Sequence, residues 1–526
     1  MALKSSPPGK ARFTGGYLIA FLCLFGLAPQ SLAAQQSTGS FLEDLDRYIE
    51  EAMESWHVPG LAVAVVKDDE IVIQKGYGVL RAGDGGRQVD ENTLFGIGST
   101  TKAMTAAALG ILVDEGLLQW DDKVVDHLPD FRLYDPWISE QVTIRDLLAH
   151  RVGVGRMIGN RIQYMTKEPR AELIRRMRYL PPERPFREAH VYQNVMYMVA
   201  GEIIPAVTGS SWDDFLQERI FVPLRMGSTN TSIHDFQPGD PIAFPHFHDG
   251  EHLMVIPHRD IDNVGPAGSV NSSVAEMAQW VRLQLGRGEF GGERIFSEEV
   301  WREMHRPQIA LPGTDPLEGL SAYGLGWRLT DYHGRLMSQH GGGIDGMTTA
   351  LFLVPEERIG VIVLSNLLPH SLATAVARVL VDREMGLPFH DWSDELLAQS
   401  MASSERAREL GHEFRLRRAD ATEPSLPLTE YVGAYEDELY GRADVYLEDG
   451  VLRLRFWGDD DAILRLEHWH YDTFRAVWPN PFHGEKFVWF SLDKAGVVGD
   501  LSVEWNLRPP PSGYVRVTRF DRTTAP

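Results

Sequence analysis

Residues 95–105 read FGIGSTTKAMT. A Gly-x-Gly turn delivers Ser99 to the start of an apolar run, and Lys102 follows three places later. In a helix, residues i and i+3 project from neighbouring positions on one face. A hydroxyl at the first turn also lies in the positive field of the helix N-terminus. Thr100–Glu115 reads as that helix, with Gly116 in the C-cap position. Met104, Ala106–Ala108 and Leu109 make it mostly apolar, so the Lys102 amine is poorly hydrated. A serine hydroxyl is a weak nucleophile until a base takes its proton. A lysine stripped of water has the depressed pKa which that role needs. The competing reading is a helix cap with a lysine nearby by composition. A second Ser-x-x-Lys, Ser491–Lys494, stands at a strand end before Ala495-Gly496. Spacing does not separate the two; only Ser99 stands at a loop-to-helix junction.

Two more patterns carry chemistry. Tyr192-Gln193-Asn194 lies in AHVYQNVMYMVAGEII. A tyrosine shuttles a proton where a cation lowers its pKa, and the asparagine amide can hold a substrate carbonyl or orient a lysine. His340-Gly341-Gly342-Gly343 closes a strand before Ile344-Asp345-Gly346. Glycines at a strand edge allow close approach of a substrate backbone. An N–H there supplies half an oxyanion hole, with the Ser99 N–H as the other half. Taken singly, the first pattern is equally a surface tyrosine at a helix start, and the second a glycine-rich turn. The chain has no Gly-x-Ser-x-Gly, so the α/β-hydrolase elbow is excluded. His246, His248, His252 and His258 crowd HFHDGEHLMVIPH. Asp249-Gly250 reads there as a two-residue hairpin turn. Two strands carrying histidines explain the cluster, and no metal or cofactor is expected.

The chain has 526 residues, 43% hydrophobic and 24% charged, a globular composition too long for one small core. Its formal charge of −23 is repelled by phosphate backbones, so nucleic acid is excluded as a partner. Only nine of the 51 basic residues are lysines, which makes Lys102 in an apolar setting more informative. Lys4, Lys10 and Arg12 precede the apolar run Tyr17–Ala28, and Ser31-Leu32-Ala33 is a small-x-small site. That run is too short to span a bilayer, so residues 1–33 read as a cleaved signal peptide. The expectation is a periplasmic or secreted protein with no stable membrane span after cleavage. The single cysteine, Cys23, lies inside the run. The mature chain then has no thiol for nucleophile, metal or disulfide.

Along the chain, Phe41, Leu45, Ile49 and Met53 share a helix face, and Leu61–Val66 with Ile71–Gln74 read as a hairpin. TIRDLLAH from Thr143 starts a helix with Asp146 as its capping-box partner. Tyr323–Leu329, Leu336–His340, Thr348–Val354 and Ile359–Leu364 read as an antiparallel meander, followed by a helix over Ser371–Met385. After a charge-rich, helix-containing linker at 387–426, the pattern is strands only. Six are legible, between Ala443 and Trp505, as a barrel or sandwich. Tail aromatics such as Trp457, Trp469, Trp478 and Trp489 fall at strand spacing, more in keeping with a core than a lipid or glycan site.

The three motifs occur in one order: Ser99-Thr-Thr-Lys102, Tyr192-Gln-Asn194, His340-Gly-Gly342. With VPGLAVAVVKDDEIVIQKGYG and HGGGIDGMTTALFLVPEERIGVIVLSN, they resemble the serine β-lactamase-related family. That family includes class C β-lactamases, penicillin-binding D,D-peptidases, D-aminopeptidases and esterases. The resemblance covers about 41–385; the tail resembles a lipocalin-like domain. It implies an α+β fold, an antiparallel sheet flanked by helices with a helical subdomain, plus a small all-β barrel-like domain. The expected division is 1–33 signal peptide, 34–386 hydrolase domain, 387–426 linker and 427–526 lipocalin-like domain.

The resemblance also implies roles. Ser99 forms an acyl-enzyme, Lys102 and Tyr192 share the proton transfers, and Asn194 holds the substrate amide. The N–H groups of Ser99 and Gly343 form the oxyanion hole beside Gly342. Which of Lys102 and Tyr192 is the base stays open. The third motif departs from the β-lactamase pattern by opening on His340 where lysine is usual. A mostly neutral histidine gives no fixed charge for a substrate carboxylate. The expected function is therefore an exported serine hydrolase of esters or amides, acting on a small molecule or short peptide or ester. The alternatives are β-lactamase or D,D-peptidase activity, or a penicillin-binding-like sensor that binds without turnover. A homo-oligomer is left open.

Overall fold

The structure, a computed structural model, describes residues 44–83, 85–155, 160, 162, 166–311, 321–457, 463–504 and 517–523. The signal-peptide reading of residues 1–33 lies outside them, as do Phe41 and Trp505. The chain divides into two compact units, Met1–Ile49 and Glu50–Pro526. In the first, residues 44–49 are helical, with Arg47 donating to Asp44. No described helix is long and apolar enough to cross a membrane.

In the second unit, β1 (Gly60–Lys67) and β2 (Glu70–Gly78) form the expected hairpin. Asp68 and Asp69 make its turn at φ of 52° and 70°, a conformation aspartate tolerates better than most residues. The hairpin is one end of an eight-stranded sheet. The others are β3 (Ile309–Ala310), β4 (Ser321–Tyr323), β5 (Arg328–Tyr332), β6 (Arg335–Ile344), β7 (Met347–Val354) and β8 (Ile359–Ser365). The order is β2-β1-β8-β7-β6-β5-β4-β3, and every pair is antiparallel. Every residue of β7 and β8 is buried, which is why these strands read as continuous apolar runs rather than alternating ones.

Four long helices follow in the same unit: α1 (Thr101–Asp114) and α2 (Asn194–Thr208), which pack on each other, and α3 (Val274–Leu285) and α4 (Leu372–Glu384), which pack on the sheet. Helix α3 packs on β1 and β8, and α4 on β7 and β8. Helix α1 is buried nearly all round, as its mostly apolar sequence requires. The helix from Ile144 has the expected capping box between Thr143 and Asp146.

One expected strand is two. Tyr323–Leu329 is broken at Gly324–Trp327, where the chain crosses α1. A Cβ at Gly326 (φ +81°) would lie 2.9 Å from the Ala103 Cα, so only glycine fits. This detour sets Gly326 against the first turn of α1.

Between the sheet and the tail, α5 (Trp392–Leu416) is one helix. The tail is a closed eight-stranded barrel: β9 (Gly433–Asp437), β10 (Gly441–Glu448), β11 (Val451–Phe456), β12 (Ile463–His470), β13 (Thr473–Val477), β14 (Glu485–Leu492), β15 (Val498–Glu504) and β16 (Val517–Arg522). Six strands were legible in sequence. The two that close the barrel, β9 and β16, are short and charge-rich, and they meet through Tyr435↔Arg522 and Glu436↔Asp521. Closure removes the exposed edges that a sandwich would leave.

Candidate active site

The site begins with a backbone contact. The chain turns at Gly98 (φ +52°) into a single 3-10 turn, Gly98–Thr100, and then into α1. Strand β6 runs directly beneath. A Cβ on Gly98 would lie 2.6 Å from the Gly343 nitrogen, and one on Gly342 would overlap the Ile97 carbonyl oxygen. The glycines of FGIGS and HGGGI thus exist for each other: they let two backbones touch and set Ser99 beside Gly343.

Gly342→Ala therefore forces these backbones apart. Overpacking of this kind costs roughly 1–3 kcal/mol, and a displacement of about 1 Å in a reactive geometry costs about 100-fold in rate. The expected result is a lower thermal midpoint and about 100-fold slower ester turnover. Gly341→Ala, whose Cβ would have its nearest neighbour at 3.6 Å, is the milder variant in the same assays.

Three side chains converge on Ser99. The Tyr192 hydroxyl donates to Ser99 Oγ at 2.7 Å. Lys102 Nζ lies 3.1 Å from Ser99 Oγ, 2.9 Å from Asn194 Oδ1 and 2.7 Å from the Ala267 carbonyl oxygen. Lys102 is 0% exposed. Burial holds its pKa well below the usual lysine range. As the neutral amine that burial favours, Nζ gives two N–H bonds to the two carbonyl oxygens, which only accept, and can turn its lone pair to the Ser99 hydroxyl, the one partner able to donate. Nζ also lies 4.8 Å from the Tyr192 ring centre and 5.4 Å from that of Tyr197, so a proton taken by the amine is faced by two aromatic rings.

The second motif is held by its surroundings. Asn194 is the first residue of α2, and its N–H donates to Asn160 Oδ1 at 2.7 Å. The Gln193 N–H donates to His150 Nδ1 at 3.1 Å, and the His150 ring lies 4.3 Å from that of Tyr192.

His340 stands behind the pocket and is not among its lining residues. Its Nδ1 lies 2.7 Å from the Gly341 carbonyl oxygen, so Nδ1 carries the proton and Nε2 accepts from the Tyr323 hydroxyl at 2.9 Å. Burial, and then the nearby Lys102, push the His340 pKa down to about 3. Burial holds Tyr323 well above the usual tyrosine range, so it stays a donor. His340 is thus a neutral ring with both nitrogens engaged.

The pocket itself is lined by Ser99, Asn194, Gly268, Gly343, Arg259 and Asp345, among others. Ser99, Lys102, Tyr192, Asn194 and Gly343 are brought together as the sequence suggested; Gly342 packs under the turn. Sequence reasoning missed Arg259, Asp345, Tyr323 and the Ala267 carbonyl. Arg259 follows the histidine-rich hairpin in a segment with no motif of its own, and Ala267 lies in GPAGSVNSSVAEMAQW, a stretch that resembles the family but singles out no carbonyl. Asp345 was read only as part of a turn after the glycines.

Asp345 is 3% exposed, and burial raises its carboxyl to about 6 against an opposing pull from Arg259. A folded-state pKa above the unfolded value means that its contribution to stability is complete below about pH 4 and is lost as pH rises through about 6. Asp345→Asn removes that loss. Its thermal midpoint should exceed wild type at pH 7–8, by about 1–3 kcal/mol of stability, and the gap should close near pH 4.

The remaining candidates are accounted for locally. Ser491 Oγ donates to Asp500 Oδ1 at 2.9 Å within the barrel. His246 pairs through Nδ1 with the Asn366 carbonyl oxygen and accepts the Ala82 N–H at Nε2. His248 stacks on His57, and His258 Nε2 pairs with the Ala243 carbonyl oxygen. The hairpin loop there spans four residues, Asp249–His252, rather than two, because His248 pairs with Leu253.

Comparison with known proteins agrees with this architecture. The Beta-lactamase family matches residues 45–384, and a domain of unknown function (DUF3471) matches residues 417–515. The unguisins hydrolase ungD of Aspergillus violaceofuscus is 29% identical over 501 residues, covering 88% of each chain. Protein flp of Staphylococcus aureus is 25% identical over 336 residues, covering 63% of this chain and 64% of that protein. Among solved structures, the octameric penicillin-binding protein homologue from Pyrococcus abyssi aligns with a TM-score of 0.59 at 23% identity, over 91% of this chain and all of that one. SurE aligns with a TM-score of 0.54 at 20% identity, over 92% of this chain.

Proposed function

The chain belongs to the beta-lactamase family, and we propose from that premise that it is a serine hydrolase acting through an acyl-enzyme on Ser99. The observation that carries this reading is the convergence of Lys102 Nζ and the Tyr192 hydroxyl on one serine oxygen. In the first step Ser99 Oγ attacks the substrate carbonyl carbon, and its proton passes to Lys102. The oxyanion is held by the N–H groups of Ser99 and Gly343. As the tetrahedral species collapses, the bond to the leaving alcohol or amine breaks and the leaving atom takes the Tyr192 proton. Lys102 returns its proton to Tyr192. Water then attacks the ester by the same route, and Ser99 is regenerated. Donors of an oxyanion hole are each worth about 10²–10³ in rate.

Lys102 is the base in this scheme because its burial favours the neutral amine, while Tyr192 points its proton at Ser99. The neutral, inward-tied His340 favours substrates that present no carboxylate to that position. This weighs toward an esterase, amidase or peptidase and against β-lactamase or D,D-peptidase action. The named hydrolase among the relatives supports turnover. The proposed division is a hydrolase domain over 34–386 and a barrel domain over 427–526, joined by 387–426. Export from the cytoplasm is proposed from the basic and apolar residues ahead of position 34, and the octameric homologue keeps self-assembly open.

Stopped-flow mixing with a p-nitrophenyl ester tests the reading. The expected trace is a burst of p-nitrophenol close to the enzyme concentration, followed by steady turnover. A burst without steady turnover would favour the sensor reading. Neither phase, from a folded protein, would contradict both.

A further inference from the structure

A cleft of about 680 Å³ opens between the sheet-and-helix body and the barrel. Arg259 and Asp345 line this cleft and the Ser99 pocket alike, so the two spaces adjoin through that pair. The volume matches sites that enclose most of a sizeable organic ligand, more than a short acyl group needs. The barrel supplies one wall, through the β13–β14 connection from Trp478 to His483. That connection is held in place. Asn480 Oδ1 accepts the Phe482 N–H at 3.0 Å, and Pro479 and Pro481 fix two φ angles. The Phe482 ring meets Phe247 of the body edge-on at 5.8 Å.

The charge at the junction is specific. Asp345 Oδ2 lies 3.3 Å from His483 Nε2 yet receives no hydrogen bond. His483 is neutral at working pH, pushed down to about 3 by burial and by the charges of Arg259 and Lys486. The two residues shared by the pocket and the cleft are thus a cation, Arg259, and a carboxylate, Asp345; Lys167, Asp260 and Asp262 line the cleft beyond them. A free carboxylate that pairs with Arg259 also meets the like charge of Asp345, and a free ammonium that pairs with Asp345 also meets Arg259. An uncharged amide suits both, offering a C=O to the guanidinium and an N–H to the carboxylate. A buried carboxylate with an unmet lone pair needs a donor. Keeping such a group at a cost in stability is the pattern of a binding site rather than of packing.

We propose that this cleft binds a peptide segment of the substrate, with Arg259 donating to the carbonyl oxygen and Asp345 accepting the N–H of an uncharged amide beside the scissile bond, while the barrel connection 478–483 forms the facing wall. The proposal rests on Ser99 being the nucleophile. It assigns blocked or internal peptide units as the substrate class, in preference to units with a free amine or free carboxylate there.

The test compares three esters on the full chain: N-acetyl-alanine p-nitrophenyl ester, alanine p-nitrophenyl ester with its amine free, and p-nitrophenyl acetate. The acetylated alanine ester should exceed the free-amine ester at least tenfold in kcat/KM. Its kcat/KM relative to p-nitrophenyl acetate should fall at least tenfold in Arg259→Ala and in Asp345→Ala. An unchanged ratio in both variants, or preference for the free amine, would overturn the proposal. Calorimetry with N-acetyl-dialanine amide on the Ser99→Ala chain reads the cleft without turnover. A tenfold weaker Kd when Asp345→Ala is added supports the proposal, and an equal Kd overturns it. Three inert esters together with normal amide binding would remove the hydrolase reading while the cleft assignment stood.

Discussion

Replacing Lys102 by methionine should lower ester turnover by roughly 10³–10⁵-fold, within the range seen when a proton-transfer partner of a serine nucleophile is removed. The pH dependence gives the sharper signature. In wild type, kcat/KM should fall as pH drops through the depressed folded-state pKa of Lys102, because the protonated amine has no lone pair for the Ser99 proton. The residual rate of Lys102→Met should lack that limb. His340, held near 3, adds no limb between pH 5 and 8. Stability carries the same sign. The unfolded chain binds the lysine proton up to its ordinary pKa and the folded chain releases it earlier, so wild-type stability rises with pH across that window. The methionine variant should lose this rise. Asn194 Oδ1 and the Ala267 carbonyl oxygen lose their donor in the variant, which lowers its midpoint at every pH alike and leaves the difference in slope readable.

Ser99→Ala should have the larger effect. Without Oγ no acyl-enzyme forms, and the loss is on the order of 10⁶-fold where a serine nucleophile acts in a coupled set. The fold should survive. The oxygen removed serves as partner to Lys102 and Tyr192, and the main-chain contact between Ile97, Gly98 and strand β6 does not involve it. The burst of p-nitrophenol should vanish while the thermal midpoint stays close to wild type. Ser491→Ala, at the other Ser-x-x-Lys, removes only a bond to Asp500 in the barrel and should leave the burst intact.

Much of this was legible in sequence because the signals were local. The i, i+3 spacing of Ser99 and Lys102, the capping box at Thr143 and the Asp68-Asp69 turn each depend on residues within four positions. The glycines were legible as glycines, but their reason was not: Gly342 is needed because Ile97, far away in sequence, lies against it. Tyr323 was hidden by the same kind of distance, since it meets His340 only across the intervening strand β5. Asp345 was legible only as a residue of the turn after the glycines, since nothing local tells a buried carboxylate from a solvated one, and Arg259 stands in no motif at all. The closing strands β9 and β16 were missed because barrel closure, rather than apolar content, makes them strands.

Intact-mass spectrometry after reaction with a fluorophosphonate tests the central claim most directly. Wild type should gain a single adduct that maps to the peptide containing Ser99, Ser491→Ala should gain the same adduct, and Ser99→Ala should gain none. An adduct that persists in Ser99→Ala, or a folded wild-type protein that gains none, would contradict it.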